Sequence, residues 1–296
     1  MTLTWPEGYR AAASFSFDVD AETSVLSTDP GGHRRMSLMS HQSYGPLVGV
    51  PRILEILARQ EVTATFFVPG FTADTYPDVV RRIIDEGHEI GHHGYLHEPM
   101  QGISRETEAR YLGRGLEALE RLGVRPVGYR APWWEMNWHT PDLLIDRGFV
   151  YDSSLLNGDA PYRLAGGDAG RDLVEIPVDW TLDDWEQYAF FPGFTGTGLI
   201  ESPNKAYEMW LLEAEAHHAN GSCFVLTNHP FISGRPSKAV ALERLIADVK
   251  AMDGMWVAPL GEIAEHAKTA VSDVTVVRRV RPPDDHRVDR SSNPGG

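Results

Sequence analysis

Four of the chain's 12 histidines lie within ten consecutive residues, in the segment HEIGHHGYLH from His88 to His97. The segment begins with a strand-like pattern, and His97 follows His93 by four residues across a turn. Two imidazoles at that spacing, joined by a carboxylate from a neighbouring strand, form a ligand set that binds zinc, iron, cobalt or nickel. We interpret His93 and His97 as ligands and His88 and His92 as bystanders. Ordinary hydrogen bonding of all four histidines is the alternative.

Two carboxylates that can complete this set follow the first apolar run of the chain. In the segment SFDVDAE, Asp18 and Asp20 are two residues apart, so alternation along a strand points them to the same side. Neighbouring carboxylates repel each other unless a cation lies between them or their pKa values separate their roles. We therefore expect Asp20 to join His93 and His97 around a metal ion.

Short strand patterns alternate with helical patterns along the chain. Strand patterns cover residues 11–17, 62–68, 88–93, 127–130, 173–180, 222–228 and 254–260, and helical periodicity covers 50–60, 77–86, 104–122, 141–147, 204–219 and 237–252. This alternation predicts an α/β fold with a mainly parallel sheet, either open or closed into a barrel. We expect one domain over residues 1–270 and a flexible tail over 271–296.

The reactive side chains lie where strand patterns end, as expected for a parallel α/β fold. Besides the aspartates and histidines above, the fourth run ends in Arg130, within YRAPWW, and the sixth ends in His229. Tryptophans lie close to these segments in the sequence, and indole rings suit a flat sugar face or a small planar ring. The residues predicted to line the substrate are Trp133, Trp134, Trp180 and Trp185, with Trp138 as a further member of the group.

Two stretches interrupt the rhythm, at residues 23–49 and 157–172, and are predicted to be long loops. Long loops in a compact domain are usually functional or mobile. The first contains His33, His41 and Tyr44 and is a candidate lid, with solvated surface as the default. The segment GFTGTG at 193–198 is predicted to be a second loop at the pocket.

The composition limits the partners. The formal net charge is −15, which disfavours a nucleic acid or an anionic membrane and favours a small-molecule or glycan substrate. Cys223 is the single cysteine, so an internal disulfide framework is excluded. The N-terminus lacks the pattern of a secretory leader, and we expect a cytoplasmic protein, with a homo-oligomer as an option.

Five segments, in this order, resemble the polysaccharide deacetylase family, also called carbohydrate esterase family 4. They are SFDVDAE, HHGYLH, RAPWW, PVDWTLDDW and LTNHP, and they span about residues 15 to 230. The branch that they resemble includes peptidoglycan deacetylase-like and allantoinase-like proteins without a signal sequence. The resemblance implies a distorted (β/α) barrel of about seven parallel strands.

The resemblance also implies roles for particular residues. One divalent metal ion would be held by Asp20, His93 and His97, with zinc as the first candidate and cobalt, nickel or iron as alternatives. Asp18 would be the base, Arg130 the residue that orients the base, and His229 the general acid.

One segment departs from the family's pattern. Most members have adjacent aspartates followed by Gly-Pro, whereas here Val19 separates the aspartates and Ala-Glu follows them. Glu22 therefore competes with Asp18 as the base and with Asp20 as a ligand.

Three functions remain open. The first is a metal-dependent hydrolase that removes N-acetyl groups from an amino sugar or glycan. The second is a hydrolase of a small cyclic amide or imide, and the third is a catalytically silent binding protein on the same scaffold. A groove long enough for three sugars would favour the first and a closed pocket the second. The third is disfavoured by the six intact positions Asp18, Asp20, His93, His97, Arg130 and His229.

Overall fold

The computed structural model describes residues 3–167, 170–190 and 200–281. Its strands are β1 (Ala11–Asp18), β2 (Thr65–Val68), β3 (Glu89–His92), β4 (Gly128–Tyr129), β5 (Tyr151–Asp152), β6 (Tyr162–Ala165), β7 (Asp172–Glu175), β8 (Cys223–Asn228), β9 (Met255–Val257) and β10 (Val274–Thr275). Its helices are α1 (Thr23–Leu26), α2 (Met36–Tyr44), α3 (Val50–Gln60), α4 (Gly70–Thr75), α5 (Pro77–Asp85), α6 (Arg105–Glu120), α7 (Thr140–Asp146), α8 (Asp184–Tyr188), α9 (Pro203–Asn220), α10 (Pro230–Ser233), α11 (Pro236–Lys250) and α12 (Leu260–Ala270).

The strands form one curled sheet in the order β10-β6-β7-β5-β4-β3-β2-β1-β8, and β9 also pairs with β1. Among the described strands, β6 and β7 are antiparallel and every other pairing is parallel. The predicted α/β class with a mainly parallel sheet is therefore confirmed. Parallel neighbours bring the carboxyl ends of β1, β2, β3, β4 and β8 to one edge.

Alternation along β1 separates the core into two layers. Phe15 and Phe17 are fully buried in the main cluster, which includes residues of helices α3, α9 and α11. Ala12 belongs to a second cluster, with Phe67 from β2 and Tyr151 from β5, inside the curve of the sheet. Since Asp18 is an even number of residues from Ala12, its carboxylate points to the inside. The polar site is thus built on the concave face of a strand whose other face anchors the helices.

The stretch 23–49 is mostly helical, so the prediction of a long loop there was wrong. It contains α1, α2, a 3-10 turn at Pro30–Arg34 and a π-helical turn at Gly45–Gly49. The helix α2 lacks a regular apolar stripe in its sequence and is held by tertiary packing instead. At Gly49, an added Cβ would lie 2.1 Å from the Pro230 carbonyl oxygen, so only glycine allows this approach.

Several other elements were not predicted. Residues 260–270 form α12, although the strand pattern was extended to residue 260; the Leu260 N–H instead donates to Thr65 Oγ1 at 2.8 Å as the helix starts. Within 157–172, Tyr162–Ala165 forms β6 and pairs with β7. Val274–Thr275 forms β10 beside β6, and the predicted pocket loop 193–198 and residues 282–296 of the predicted tail lie outside the described residues.

The described helices include none that is both long enough and apolar enough to cross a bilayer.

Candidate metal centre and active site

The predicted reactive residues meet in one cavity at the carboxyl edge of the sheet. Asp18 ends β1, Asp20 lies two residues beyond it, His93 directly follows β3, and His229 directly follows β8. They line a cavity of about 130 Å³. The complete described lining is Asp18, Asp20, His93, His97, Trp133, Trp134, Trp180, Asp183, Trp185, Glu186 and His229.

Asp20, His93 and His97 offer three ligand atoms to a common point. Asp20 Oδ1 lies 3.5 Å from His93 Nε2, and Asp20 Oδ2 lies 3.6 Å from His97 Nε2. Two atoms bound tetrahedrally to zinc at its usual bond lengths lie about 3.4 Å apart, so these separations match shared ligation. His93 Nδ1 lies 2.8 Å from the Arg130 carbonyl oxygen. With Nδ1–H as the donor, the Nε2 lone pair faces the cavity.

The electrostatic state of this triad fits a divalent cation. Burial lowers the pKa of His93 to about 3 and also lowers the pKa of His97, so both imidazoles are neutral, the form that binds metals. Burial raises the pKa of the Asp20 carboxyl, although His229 opposes that effect. Asp20 Oδ1 is buried and has no hydrogen-bond partner among the described residues. A cation would supply both the missing partner and the charge that keeps Asp20 ionised.

Strained backbone surrounds the cavity. Ala21, His97, Trp133 and Trp134 all have φ between 50° and 60°. Left-handed conformations cost about 1 to 3 kcal/mol at non-glycine residues and persist only where the surroundings impose them. Gly94, with φ of 72°, makes the turn between the two predicted histidine ligands. The strained residues therefore lie where the backbone must orient the predicted metal ligands and the tryptophan side chains of the cavity.

A buried ion pair joins Asp18 to Arg130. Arg130 Nη1 donates to Asp18 Oδ1 at 2.9 Å and to Ser16 Oγ at 2.8 Å. The guanidinium is fully buried, and its carbon lies 4.3 Å from the centre of the Phe67 ring. Asp18 Oδ2 lies 3.8 Å from His93 Nε2. One carboxylate oxygen is thus held by the arginine while the other faces the predicted metal ligands.

A second polar layer supports Arg130 from behind. Arg130 Nε and Nη2 donate to the carbonyl and hydroxyl oxygens of Ser153, at 3.0 and 3.1 Å. Ser154 Oγ accepts from the Ala131 N–H and donates to Asp152, while Glu175 accepts from the Ser154 N–H. Burial, and then the neighbouring Asp152, raise the pKa of the Glu175 carboxyl. This layer was not predicted from the sequence because β5 is only two residues long.

His229 is held by Asp184, a partner that the sequence analysis did not assign. His229 Nδ1 lies 2.7 Å from Asp184 Oδ1, and the His229 backbone N–H donates to the same carboxylate. Burial lowers the pKa of His229, but Asp183 and Asp184 outweigh it and raise the value to about 10. His229 Nε2 faces the cavity, 3.7 Å from Asp20 Oδ2. The sequence feature that could have indicated this partner is the pair of adjacent aspartates in the segment TLDDW.

A second group with metal-ligand spacing consists of Asp183, Asp184 and His229. Both oxygens of Asp184 already accept hydrogen bonds, including one from Ser233 Oγ. A protonated imidazole between two carboxylates leaves little reason for a cation. Of the two groups, the Asp20 triad is therefore the better metal site.

The four tryptophans predicted to contact substrate all line the cavity. Trp133 packs edge-on against Trp185 at 5.9 Å, and Trp134 stacks on Trp180 at 4.4 Å. Trp180 is 46% exposed, so its ring stands at the mouth. Trp138 lies elsewhere, 54% exposed and beneath the Arg279 guanidinium.

The remaining alternatives lie outside the cavity lining. Glu22 Oε1 accepts a hydrogen bond from Tyr76 at 2.6 Å. His88 Nδ1 accepts from the Ala64 N–H, and His92 Nε2 lies 3.0 Å from the Leu112 carbonyl. The backbone thus engages both bystander histidines away from the triad.

Comparison with known proteins places the chain in a family. A sequence model of a protein family, described as polysaccharide deacetylase, matches residues 43–151 of this chain. A peptidoglycan deacetylase from Helicobacter pylori is 30% identical, over 85% of this chain and 94% of the relative. A solved Mycobacterium smegmatis structure that carries the polysaccharide deacetylase name is 55% identical, with a TM-score of 0.91 over 95% of this chain and 98% of the other. An allantoinase structure, 24% identical, shares the fold with a TM-score of 0.76 over 90% of this chain and 92% of the other.

These similarities confirm the barrel-type α/β fold and the predicted resemblance. They also support an enzyme of the deacetylase type, a hydrolase that acts on carbon-nitrogen bonds other than peptide bonds. Such enzymes use a metal ion, and the chain has a candidate triad for it. On the strength of its full-length relatives, the chain belongs to the polysaccharide deacetylase family.

Proposed function

We propose that this protein removes the N-acetyl group from an amino sugar in a glycan, using one divalent metal ion. The observation that carries the proposal is a single arrangement: the Asp20 triad lies between the Asp18–Arg130 pair and the His229–Asp184 pair. Amide hydrolysis needs a base on one side of the carbonyl and an acid for the leaving amine. The cavity presents one of each, on either side of a site for a cation.

Asp20, His93 and His97 would hold the metal ion, with zinc as the first candidate because one carboxylate and two imidazoles suit it. When bound, the ion supplies Lewis acidity toward the amide carbonyl oxygen.

Asp18 is proposed to accept the proton of the attacking water through Oδ2, the oxygen that Arg130 leaves free. Arg130 holds the carboxylate in one orientation, because its Nη1 donates directly to Oδ1. Since Arg130 is fully buried and tied to Ser153, the base is aimed before substrate binds.

His229 is proposed to donate a proton to the leaving nitrogen. An amine leaves poorly unless it is protonated as the carbon-nitrogen bond breaks. Asp184 accepts from Nδ1 and stabilises the protonated ring, whose second proton, on Nε2, points into the cavity.

The aromatic walls favour an amino sugar. A cavity of about 130 Å³ holds an acetamido group with part of a ring. Trp180, exposed at the mouth and backed by Trp134, offers a flat apolar face of the kind that sugar rings stack on.

One observation favours the alternative of a small cyclic amide or imide. The cavity, about 130 Å³, is smaller than the roughly 300 to 1,000 Å³ of ordinary ligand pockets. The described residues that line it form a compact site rather than a groove for three sugars.

The test is a direct comparison of products. Protein loaded with zinc, cobalt or nickel is incubated with N-acetylglucosamine oligomers and, separately, with a cyclic imide such as succinimide. We expect acetate and free amine from the oligomers, and loss of both in His93→Ala. Ring opening of the imide without acetate release would establish the alternative. If neither substrate is hydrolysed, the interpretation as a catalytically silent binding protein is favoured.

A further inference from the structure

A second cavity, of about 490 Å³, lies beside the first. Its walls come from α2, from α10 and from the start of α11. Its described lining includes three cations, Arg35, Arg235 and Lys238, and no acidic residue. The chain has 42 acidic and 27 basic residues and a formal net charge of −15. A cavity whose charged lining residues are all positive therefore contrasts with the negative net charge of the chain.

The cations of this cavity lack close carboxylate partners in the described structure. Arg35 approaches Asp29 only at 3.9 Å. The Arg235 guanidinium stacks on the Tyr44 ring at 3.6 Å, and its Nε donates to a carbonyl oxygen. The Lys238 ammonium lies 4.5 Å from the centre of the Tyr188 ring. Cation-π contacts orient these groups without neutralising them.

The partial burial of Lys238 makes binding of an anion in this cavity more favourable. Burial lowers the pKa of the Lys238 ammonium, and Arg235 lowers it further, against the effect of Asp184. The first turn of α11, a helix of 15 residues, begins at the same place. Its unpaired N–H groups add positive partial charge. An anion would relieve both the repulsion and the lost solvation.

Apart from Ser37 and His41, the rest of the described lining is apolar or aromatic. Leu38, Phe231 and Ile232 contribute to it together with Tyr188. An inorganic anion would satisfy the cations but leave this surface uncovered. A carboxylate attached to an apolar or ring-shaped body matches both parts of the wall.

The two cavities share a wall. The Phe231 ring, which lines the second cavity, lies 6.0 Å from the Trp185 ring and 5.9 Å from the His229 ring, which line the first. We propose that the second cavity is a subsite for a carboxylate-bearing ligand, held by Arg35, Arg235 and Lys238. The carboxylate belongs either to a substituent of the substrate or to a separate organic acid. The first source rests on the proposed function, and the binding site itself does not.

The binding test compares benzoate with benzamide, which has a similar size but no charge. Calorimetric titrations are made on the wild type, on Lys238→Gln and on the double variant Arg35→Gln/Lys238→Gln. The control is Lys268→Gln, an exposed lysine on α12. We expect the Kd of benzoate to rise about tenfold in the double variant, through loss of charge-assisted contacts, and to be unaltered in the control. Equal benzoate affinity in all four proteins, or no binding to any, would overturn the subsite.

The source of the carboxylate is decided by kinetics. N-acetylmuramic acid differs from N-acetylglucosamine by a lactyl group that carries a carboxylate. For each protein, kcat/KM for the acidic sugar is divided by kcat/KM for the neutral sugar. If this ratio is tenfold lower in the double variant than in wild type, the subsite binds a substituent of the substrate. An unaltered ratio together with variant-sensitive benzoate binding assigns it to a separate acid. Wild type that hydrolyses neither sugar would count against the proposed function, while the benzoate titration would still decide the subsite.

Discussion

Asp18→Asn is expected to lower kcat by about 10² to 10⁴, the range for loss of a general base. The amide keeps the shape of the side chain and can still accept from Arg130, so the fold should persist. It cannot take a proton from water. The measurement is the initial rate of acetate release at saturating substrate, with metal content determined on the same samples.

Glu22→Gln is the matched control, because Glu22 is the alternative base. Its carboxylate accepts from the Tyr76 hydroxyl outside the cavity lining, so the rate should be nearly unaltered. A large loss in Glu22→Gln together with near-normal Asp18→Asn would reverse the assignment. Retention of metal in Asp18→Asn separates a base from a ligand.

Asp184→Asn is expected to lower kcat by about 10²-fold or more, although Asp184 is too deeply buried to line the cavity. The carboxylate accepts from His229 Nδ1 at 2.7 Å and from the His229 backbone N–H. An amide cannot replace all of these contacts, so His229 loses both its fixed ring orientation and a negative neighbour. The assay is kcat across a pH series, beside Asp179→Asn, whose carboxylate caps the Thr181 N–H in the described structure.

The pKa of His229 determines the direction in which the pH profile of Asp184→Asn should shift. The carboxylates Asp183 and Asp184 raise the pKa of His229 to about 10, against burial, which lowers it. A general acid works in its protonated form, so activity falls as the pH rises through its pKa. Removing the charge of Asp184 lowers that pKa and should move the alkaline fall of kcat to lower pH. A smaller kcat with an unmoved profile would mean that Asp184 serves the fold alone.

Local sequence patterns predicted the site residues that follow strands. Alternation along the first strand predicted that Asp18 and Asp20 point to the same side, and strand ends predicted that His93 and His229 lie at the same edge of the sheet. The helices α3, α5 and α11 were predicted to within two residues because each carries an apolar stripe. These features depend on periodicity within one element, which a sequence displays directly.

Features that depend on contacts between distant elements were not predicted. The Asp152–Glu175 pair forms only because β5 lies beside β7, with β6 outside them. Asp184 reaches His229 across 45 residues of sequence. The helix α2 lacks an apolar stripe and depends on packing against α10. Such contacts follow from the order of strands and loops in space.

The most direct measurement is the metal content of the purified protein by elemental analysis. Wild type, His93→Ala and His88→Gln are compared after incubation with zinc, cobalt or nickel and removal of free metal. We predict about one ion per chain in wild type and in His88→Gln, since the hydrogen bond of His88 in the described structure is to the backbone, away from the triad, and loss of the ion in His93→Ala. Wild type without bound metal, or His93→Ala with an undiminished amount, would contradict the assignment of Asp20, His93 and His97 as the metal centre.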